Sequence, residues 1–410
     1  MYIQLTGPQN TQLRGDITIT GSKSESNRLL LLQALYPGIR IENLSNSDDT
    51  VLMQEGLRAR GRTVDIHHAG TAMRFLTAYF ASREGRETVL TGSHRMKERP
   101  IRILVEALRS LGADIGYLEA DGCPPLHIRG KRLGGSRVTL PADVSSQYIS
   151  ALMLIAPSLP EGLEINLEGT ITSVPYIRMT LKLLQQVGIG GTFRGQQIRI
   201  PPVADLPGQS VTVESDWSSA SYYYSMVALG GPGSRVTLRS FRPDSLQGDS
   251  VLPEIFGHLG VESSFTGDRL ELTRTDDPDT DHLQWDLIEA PDLAQTLAAC
   301  CFGLGLGCDL TGLHTLKIKE TDRLVALENE LSKLGAQISV TGDSLHLKAS
   351  RRIVPMQSVQ TYNDHRMAMA FAPLALKTPM IIRDAGVVTK SYPNFWKDLS
   401  KLGFHCVEAR

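Results

Sequence analysis

One segment recurs along the chain: an amphipathic stretch, closed by a hydrophobic residue and glycine, then a short strand. It reads PIRILVEALRSLGADI, YIRMTLKLLQQVGIGGTF, VLPEIFGHLGVESSF, TDRLVALENELSKLGAQISV and NFWKDLSKLGFHCVE, with a weaker copy, DDTVLMQEGLRARGRTVDI, ahead of them. The closing glycines are Gly61, Gly112, Gly188, Gly260, Gly335 and Gly403. Glycine just past a last helical turn supplies the left-handed residue of a C-cap, so these positions predict helix ends. Repetition on this scale constrains the fold more than local propensity does, because each unit must bury its apolar face on its neighbours. The first interval is 51 residues where the others run from 68 to 76, which predicts a trimmed first unit.

A second segment alternates with the first. It opens on polar or charged residues and continues into a helix of small and apolar residues with almost no charge. The copies are GSKSESNRLLLLQAL, HAGTAMRFLTAYFA, DVSSQYISALMLIAP, SDWSSASYYYSMVALG, APDLAQTLAACCFGLG and YNDHRMAMAFAPLAL. A helix that is apolar on nearly all sides is a buried one. The rhythm divides three and three across IRIPPVADLPGQSVTVESD, rich in Pro and Gly, which predicts an inter-domain connection near Val213–Glu214. Strands are expected near Ile3–Leu5 and Ile17–Thr20, with no pattern to say where they pair.

Each buried helix presents unpaired N–H groups and a partial positive charge at its N-terminus, which favours anions. Ordinary N-capping uses the same Ser, Thr, Asp and Asn residues and accounts for any one copy. Cations gather at several of these mouths, however. Lys23, Ser24 and Arg28 follow Gly21. This is not a P-loop, since no second glycine precedes Lys23 at the required spacing. Gly70 allows a ligand close to the backbone, with Arg74 one turn beyond. Arg95, Lys97 and Arg99 precede Pro100, which suits the first position of a helix. Ser145, Ser146 and Gln147 offer a neutral cradle for an oxyanion, and Ser173 beside Pro175 and Tyr176 is similar. Lys319, Glu320 and Arg323 enter another helix, Lys319 and Arg323 sharing a face if it has begun by then. Asp292 stands at the mouth of the helix after Pro291, Arg366 follows Asp364 and His365, and Lys390 lies between a strand and a helix.

Net charge bounds the ligand. With 42 Lys+Arg against 44 Asp+Glu the chain carries −2, which argues against nucleic acid as a partner. Any anion site is therefore a local concentration of cations, and a small phosphorylated metabolite is the expected ligand. No apolar run reaches the roughly 18–20 residues a bilayer span needs. The opening MYIQLTGPQN lacks the form of a signal peptide. Five cysteines without a CxxC pair, with Cys300 and Cys301 adjacent in an apolar run, suit free thiols in a reducing, cytoplasmic setting.

The motifs GSKSESNR, AGTAMR, RMKERP, DVSSQ, KETDRL and YNDHRMAMAF, in this order from near residue 21 onward, make the chain resemble the 5-enolpyruvylshikimate-3-phosphate (EPSP) synthase family. The resemblance covers essentially the whole chain. It implies an α/β fold of two inside-out α/β barrel domains, each of three βαβαββ units with buried parallel helices. The domains would be 21–213 and 1–20 plus 214–410, with the active site in the cleft between them. It further implies an enzyme that transfers the enolpyruvyl group of phosphoenolpyruvate to the 5-hydroxyl of shikimate 3-phosphate. The reaction is an addition–elimination through a tetrahedral intermediate, and it belongs to aromatic amino-acid biosynthesis. Carried over residue by residue, shikimate 3-phosphate would be held by Lys23, Ser24, Arg28, Ser145, Ser146, Ser173, Asp292 and Lys319. Phosphoenolpyruvate would be held by Lys23, Gly70, Arg99, Gln147, Arg323, Arg366 and Lys390. Asp292, Glu320 and Lys23 are the implied acid/base groups. No cofactor, metal, nucleic acid or membrane is implied, and a monomer is expected.

Three positions depart from the family pattern: His68 and Thr315 stand where Asn is usual, and Phe75 replaces a Pro after Arg74. The related UDP-N-acetylglucosamine enolpyruvyl transferases carry a reactive Cys, or in some members Asp, shortly before the equivalent of Arg99. Here that loop is Gly92–Glu98 and the nearest cysteine is Cys123, which weighs for the shikimate enzyme. A non-catalytic phosphometabolite-binding module on the same scaffold is the alternative from another class.

Overall fold

The computed structural model describes residues 1–143, 145–169, 171, 174–319 and 321–409. The chain divides into two compact units, Met1–Thr20 with Glu214–Arg410, and Gly21–Val213. Ser173 and Glu320 lie outside the described residues.

Both units repeat one topology. A strand, a buried helix, a parallel strand, an outer helix and a hairpin make a four-stranded sheet ordered first, second, fourth, third. In Gly21–Val213 this sheet is Thr63–Asp65, Glu87–Thr91, Leu126–Arg129 and Asp114–Tyr117, and again Arg137–Pro141, Leu163–Glu168, Gln197–Ile200 and Thr192–Arg194. In the other unit it is Arg14–Ile17, Arg235–Arg239, Arg269–Arg274 and Val261–Thr266, then His282–Asp286, Gly307–Thr311, Leu345–Leu347 and Ile338–Val340. The last copy borrows its fourth strand from the start of the chain. Tyr2–Thr6 lies antiparallel between Met380–Arg383 and His405–Ala409, with Ser358–Val359 at the edge.

The sixth sheet is the trimmed unit. Gln209–Thr212 pairs in parallel with Ile39–Glu42, and no hairpin completes it among the described residues. The short first glycine interval reflects that missing hairpin. Gly112, Gly188, Gly260, Gly335 and Gly403 all have positive φ, as helix-ending residues should. Gly61 does not: its helix, Asp48–Arg58, ends earlier, at Ala59, and the glycine falls in the loop beyond.

The six nearly uncharged helices are the cores of the units. Lys23–Leu35, Gly70–Ala81 and Ser146–Ile155 pack together in one; Trp217–Leu229, Ala294–Leu304 and His365–Phe371 do so in the other. Every residue of Gly70–Ala81 is buried, including Arg74. Large side chains such as Phe75 and Phe80 each contribute about 1.5–3 kcal/mol by leaving water. That burial fixes the helices, and so the positions of their polar N-terminal mouths. Three cysteines, Cys300, Cys301 and Cys308, are buried, and all five are free thiols. No helix among the described residues is long and apolar enough to cross a membrane.

Candidate active site

In the unit Gly21–Val213, a Cβ at Gly21 would collide with the carbonyl oxygen of Asn43, so the turn into the first buried helix needs glycine. Lys23 opens that helix, with its ammonium 3.4 Å from Asp49, and His68 approaches the same carboxylate at 3.9 Å. Arg28, one turn further on, is 2% exposed. It donates to Thr180 Oγ1 at 2.8 Å, to the Ser24 carbonyl at 2.8 Å and to Ser150 Oγ at 2.9 Å. Its guanidinium lies 5.5 Å from the Phe75 ring centre and 5.8 Å from that of Tyr176. The departure at Phe75 thus places an aromatic face against this cation, a favourable contact when water is excluded. Burial lowers the Arg28 pKa to about 10, so it stays charged at neutral pH.

The second and third mouths of this unit are joined. Arg74 donates to the carbonyls of Gly70 at 3.1 Å and Pro100 at 3.3 Å. Burial, and then the neighbouring charge of Arg99, bring its pKa down to about 10. A Cβ on Gly70 would sit 2.6 Å from a terminal nitrogen of Arg99, so that guanidinium lies directly over the start of the helix. Gln147 donates to Thr71 at 3.1 Å, and Tyr148 donates to the Pro100 carbonyl at 2.6 Å. Ser145 caps its helix by accepting from the Gln147 N–H at 3.4 Å, and Ser146, the first helical residue, is buried.

In the other unit the charges converge on Asp292, in a turn of 3-10 helix ahead of Ala294–Leu304. Arg323 reaches it at 2.7 Å, Arg366 at 2.9 Å and Lys319 at 3.9 Å. Arg323 is 2% exposed and also pairs with Asp364 at 2.6 Å. Asp364 caps the last buried helix by accepting from the backbone N–H of Arg366 at 2.9 Å. Arg366 donates in addition to Ser218 Oγ at 3.3 Å, and Ser218 donates to Asp249 through a short contact. Lys390 donates to the Asn363 carbonyl at 2.7 Å, beside the same helix mouth but without a contact to Asp292. Thr315, in the turn His314–Ile318, has a buried hydroxyl with no hydrogen-bond partner among the described residues.

Two local expectations are corrected. Pro100 is not the first residue of a helix: Arg95 and Lys97 belong to a short helix, His94–Lys97, and the next, Arg102–Ser110, is entered through Ile101. Lys319 and Arg323 do not share a helical face, because Asp322 caps a helix that begins at Arg323. They meet at Asp292 from separate backbone segments instead. Sequence reasoning also missed Asp49, Ser150, Thr180, Ser218 and Asp249. The hydroxyls carry no charge to mark them, and the carboxylates sit in turns or first helical turns where acidic residues are expected anyway. No group of three or more His, Cys, Asp and Glu side chains is placed to hold a metal ion among the described residues.

The repeated βαβαββ units match the fold of solved enolpyruvyl transferases. The EPSP synthase of Acinetobacter baumannii superposes with a TM-score of 0.79 at 21% identity, covering 100% of both chains. The enolpyruvyl transferase NikO of Streptomyces tendae does so at 0.74 and 15%, covering 100% of this chain and 99% of its own. In sequence, the family model for EPSP synthase (3-phosphoshikimate 1-carboxyvinyltransferase) matches residues 8–67 and 59–399. The 3-phosphoshikimate 1-carboxyvinyltransferase of Bacteroides fragilis is 45% identical over 401 residues, 96% of each chain. That of Photorhabdus laumondii is 37% identical over 423 residues, 95% of this chain and 96% of its own. The chain belongs to the EPSP synthase family.

Proposed function

We propose that this chain transfers the carboxyvinyl group of phosphoenolpyruvate to the 5-hydroxyl of shikimate 3-phosphate, releasing phosphate, in aromatic amino-acid biosynthesis. The observation that carries this, beyond family membership, is the convergence of Lys319, Arg323 and Arg366 on Asp292. Cations gathered around a carboxylate suit a reaction in which two anions are bound and a hydroxyl beside them loses a proton. A proton added to the phosphoenolpyruvate methylene makes C2 electrophilic, and the hydroxyl oxygen attacks as its own proton passes to Asp292. The tetrahedral adduct then loses phosphate and a methyl proton, restoring the vinyl group. Glu320 and Lys23 are the groups assigned to the methylene proton.

Ser24, Arg28, Ser145, Ser146, Ser173 and Lys319 are assigned to shikimate 3-phosphate. Gly70, Arg99, Gln147, Arg323, Arg366 and Lys390 are assigned to phosphoenolpyruvate and the departing phosphate. Lys23 serves both. Arginine forks suit carboxylate and phosphate, and cations fixed in advance stabilise the charge that leaves. Arg28 already spends three of its N–H groups on Thr180, Ser24 and Ser150, which leaves two for a ligand and holds the fork rigid. The proposed setting is the cytoplasm, with the protein a monomer.

Mixing purified protein with both substrates and following inorganic phosphate tests the activity. Release that requires both substrates is expected; its absence despite tight binding of shikimate 3-phosphate would establish a binding module instead. Substituting Gly70→Ala should push the Arg99 guanidinium off the helix mouth. A displaced charge-assisted hydrogen bond is worth about 1.5–3 kcal/mol, so KM for phosphoenolpyruvate should rise roughly tenfold or more. KM for shikimate 3-phosphate should hold. An unchanged phosphoenolpyruvate KM would remove Arg99 from that role.

A further inference from the structure

The cations around Asp292 pose a chemical problem for its role as a base. Two arginines and a lysine lie within 4 Å of it, and cations so close favour the ionised form of a carboxylate over the protonated one. A base so surrounded is poorly disposed to accept a proton unless other negative charges share the cations. For Arg323 the sharing is direct, since Asp364 lies 2.6 Å away. For Arg366 the structure offers a second carboxylate at one remove. Asp249, 7% exposed, occupies the 3-10 turn Gly248–Val251 and accepts from the Ser218 hydroxyl, whose oxygen accepts from Arg366. The same terminal nitrogen of Arg366 donates to Ser218 and to Asp292.

We propose that Asp249 is a positioning residue for Asp292: through Ser218 and Arg366 it takes up part of the positive charge converging on Asp292, and so preserves the capacity of Asp292 to accept a proton. Asp249 is well placed to make that contribution depend on pH. Burial first, then the charge of Asp292, raise its pKa to about 6, with Arg366 and the Ser218 hydrogen bond opposing. Asp216, from the start of the helix that carries Ser218, adds a further like charge. A carboxyl in that range is largely ionised at neutral pH and loses its charge in mild acid.

The inference rests on Asp292 being the base, so its test has a readout that does not need turnover. The Asp292 carboxyl 13C signal, assigned by its loss in Asp292→Asn, would be titrated in the wild-type protein, in Asp249→Asn and in Ser218→Ala. Asp249→Asn keeps the hydrogen-bond acceptor for Ser218 and removes only the charge. Asp292 should then titrate at lower pH than in the wild type. Ser218→Ala, which cuts the bridge and leaves Asp249 in place, should move it the same way by less. This second variant carries the test alone if the first does not fold. In turnover, Asp249→Asn should lower kcat roughly tenfold, leave both KM values within about threefold and move the acid limb of the kcat profile to lower pH. An Asp292 titration unchanged in the variants that fold would overturn the inference. So would a fall in kcat that is uniform with pH, since a purely structural role gives that result. Wild-type protein without phosphate release would defeat the proposed activity instead, with the carboxyl titration still deciding this point.

Discussion

Replacing Asp292 with alanine should lower kcat by roughly 10²–10⁴-fold, the usual contribution of a positioned general base. The Michaelis constant for phosphoenolpyruvate should change little. Arg323 keeps Asp364 as a partner, and Arg366 keeps Ser218, so neither cation is set loose by the substitution. Asp292→Asn sharpens the test. It preserves a hydrogen-bond acceptor for Arg323 and abolishes the proton-accepting charge, and it should be nearly as slow as the alanine variant. Steady-state phosphate release with both substrates varied, alongside a thermal melt to show that each variant is folded, would decide the matter. Turnover near that of the wild type in either variant would take Asp292 out of the mechanism.

Much of the fold is legible in the sequence because its repeat is local. An apolar helix must be buried, and a glycine just past a periodic stretch must end it; both are properties of fifteen or so consecutive residues. The pairing of Tyr2–Thr6 with Met380–Arg383 and His405–Ala409 is not of that kind. Alternation along a strand says which side chains share a face and nothing about a partner several hundred residues away. The same holds for Gln209–Thr212 beside Ile39–Glu42.

Within the candidate site, cations stand out in the sequence and their counter-charges do not. Lysine or arginine at a helix N-terminus runs against the dipole and invites an explanation, whereas an acidic residue there is already explained. Asp364 shows how misleading that economy is. It caps the helix His365–Phe371, as any aspartate there would, and with its other oxygen it holds the buried guanidinium of Arg323. Asp49 is similar: an acidic residue in the first turn of Asp48–Arg58 that also faces Lys23. Only three-dimensional placement separates the cap from the counter-ion.

Arg323→Leu is expected to have the largest effect on stability. The arginine is 2% exposed, and it bridges Asp292 and Asp364, whose side chains are 10% and 0% exposed. Leucine fills part of the volume and takes the shared cation from both carboxylates, although Asp292 keeps Arg366 and Lys319 and Asp364 keeps the Arg366 N–H. Breaking a buried ion pair from one side costs up to about 3–5 kcal/mol, because the charge left behind is neither hydrated nor fully compensated. In a cooperative unit of roughly two hundred residues that loss lowers the midpoint by about 6–20 °C. Adding Asp364→Asn to Arg323→Leu should recover part of it, since the asparagine removes one of the two charges that lost the shared cation and retains the acceptor that caps the helix. Arg102, exposed and paired at 2.6 Å with an exposed Asp121, is the control: Asp121→Asn should leave the midpoint where it is. Calorimetry on the four proteins would resolve these differences. A midpoint for Arg323→Leu equal to that of the wild type would mean that the buried charges are neutralised by some other route, and that Arg323 serves the ligand rather than the fold.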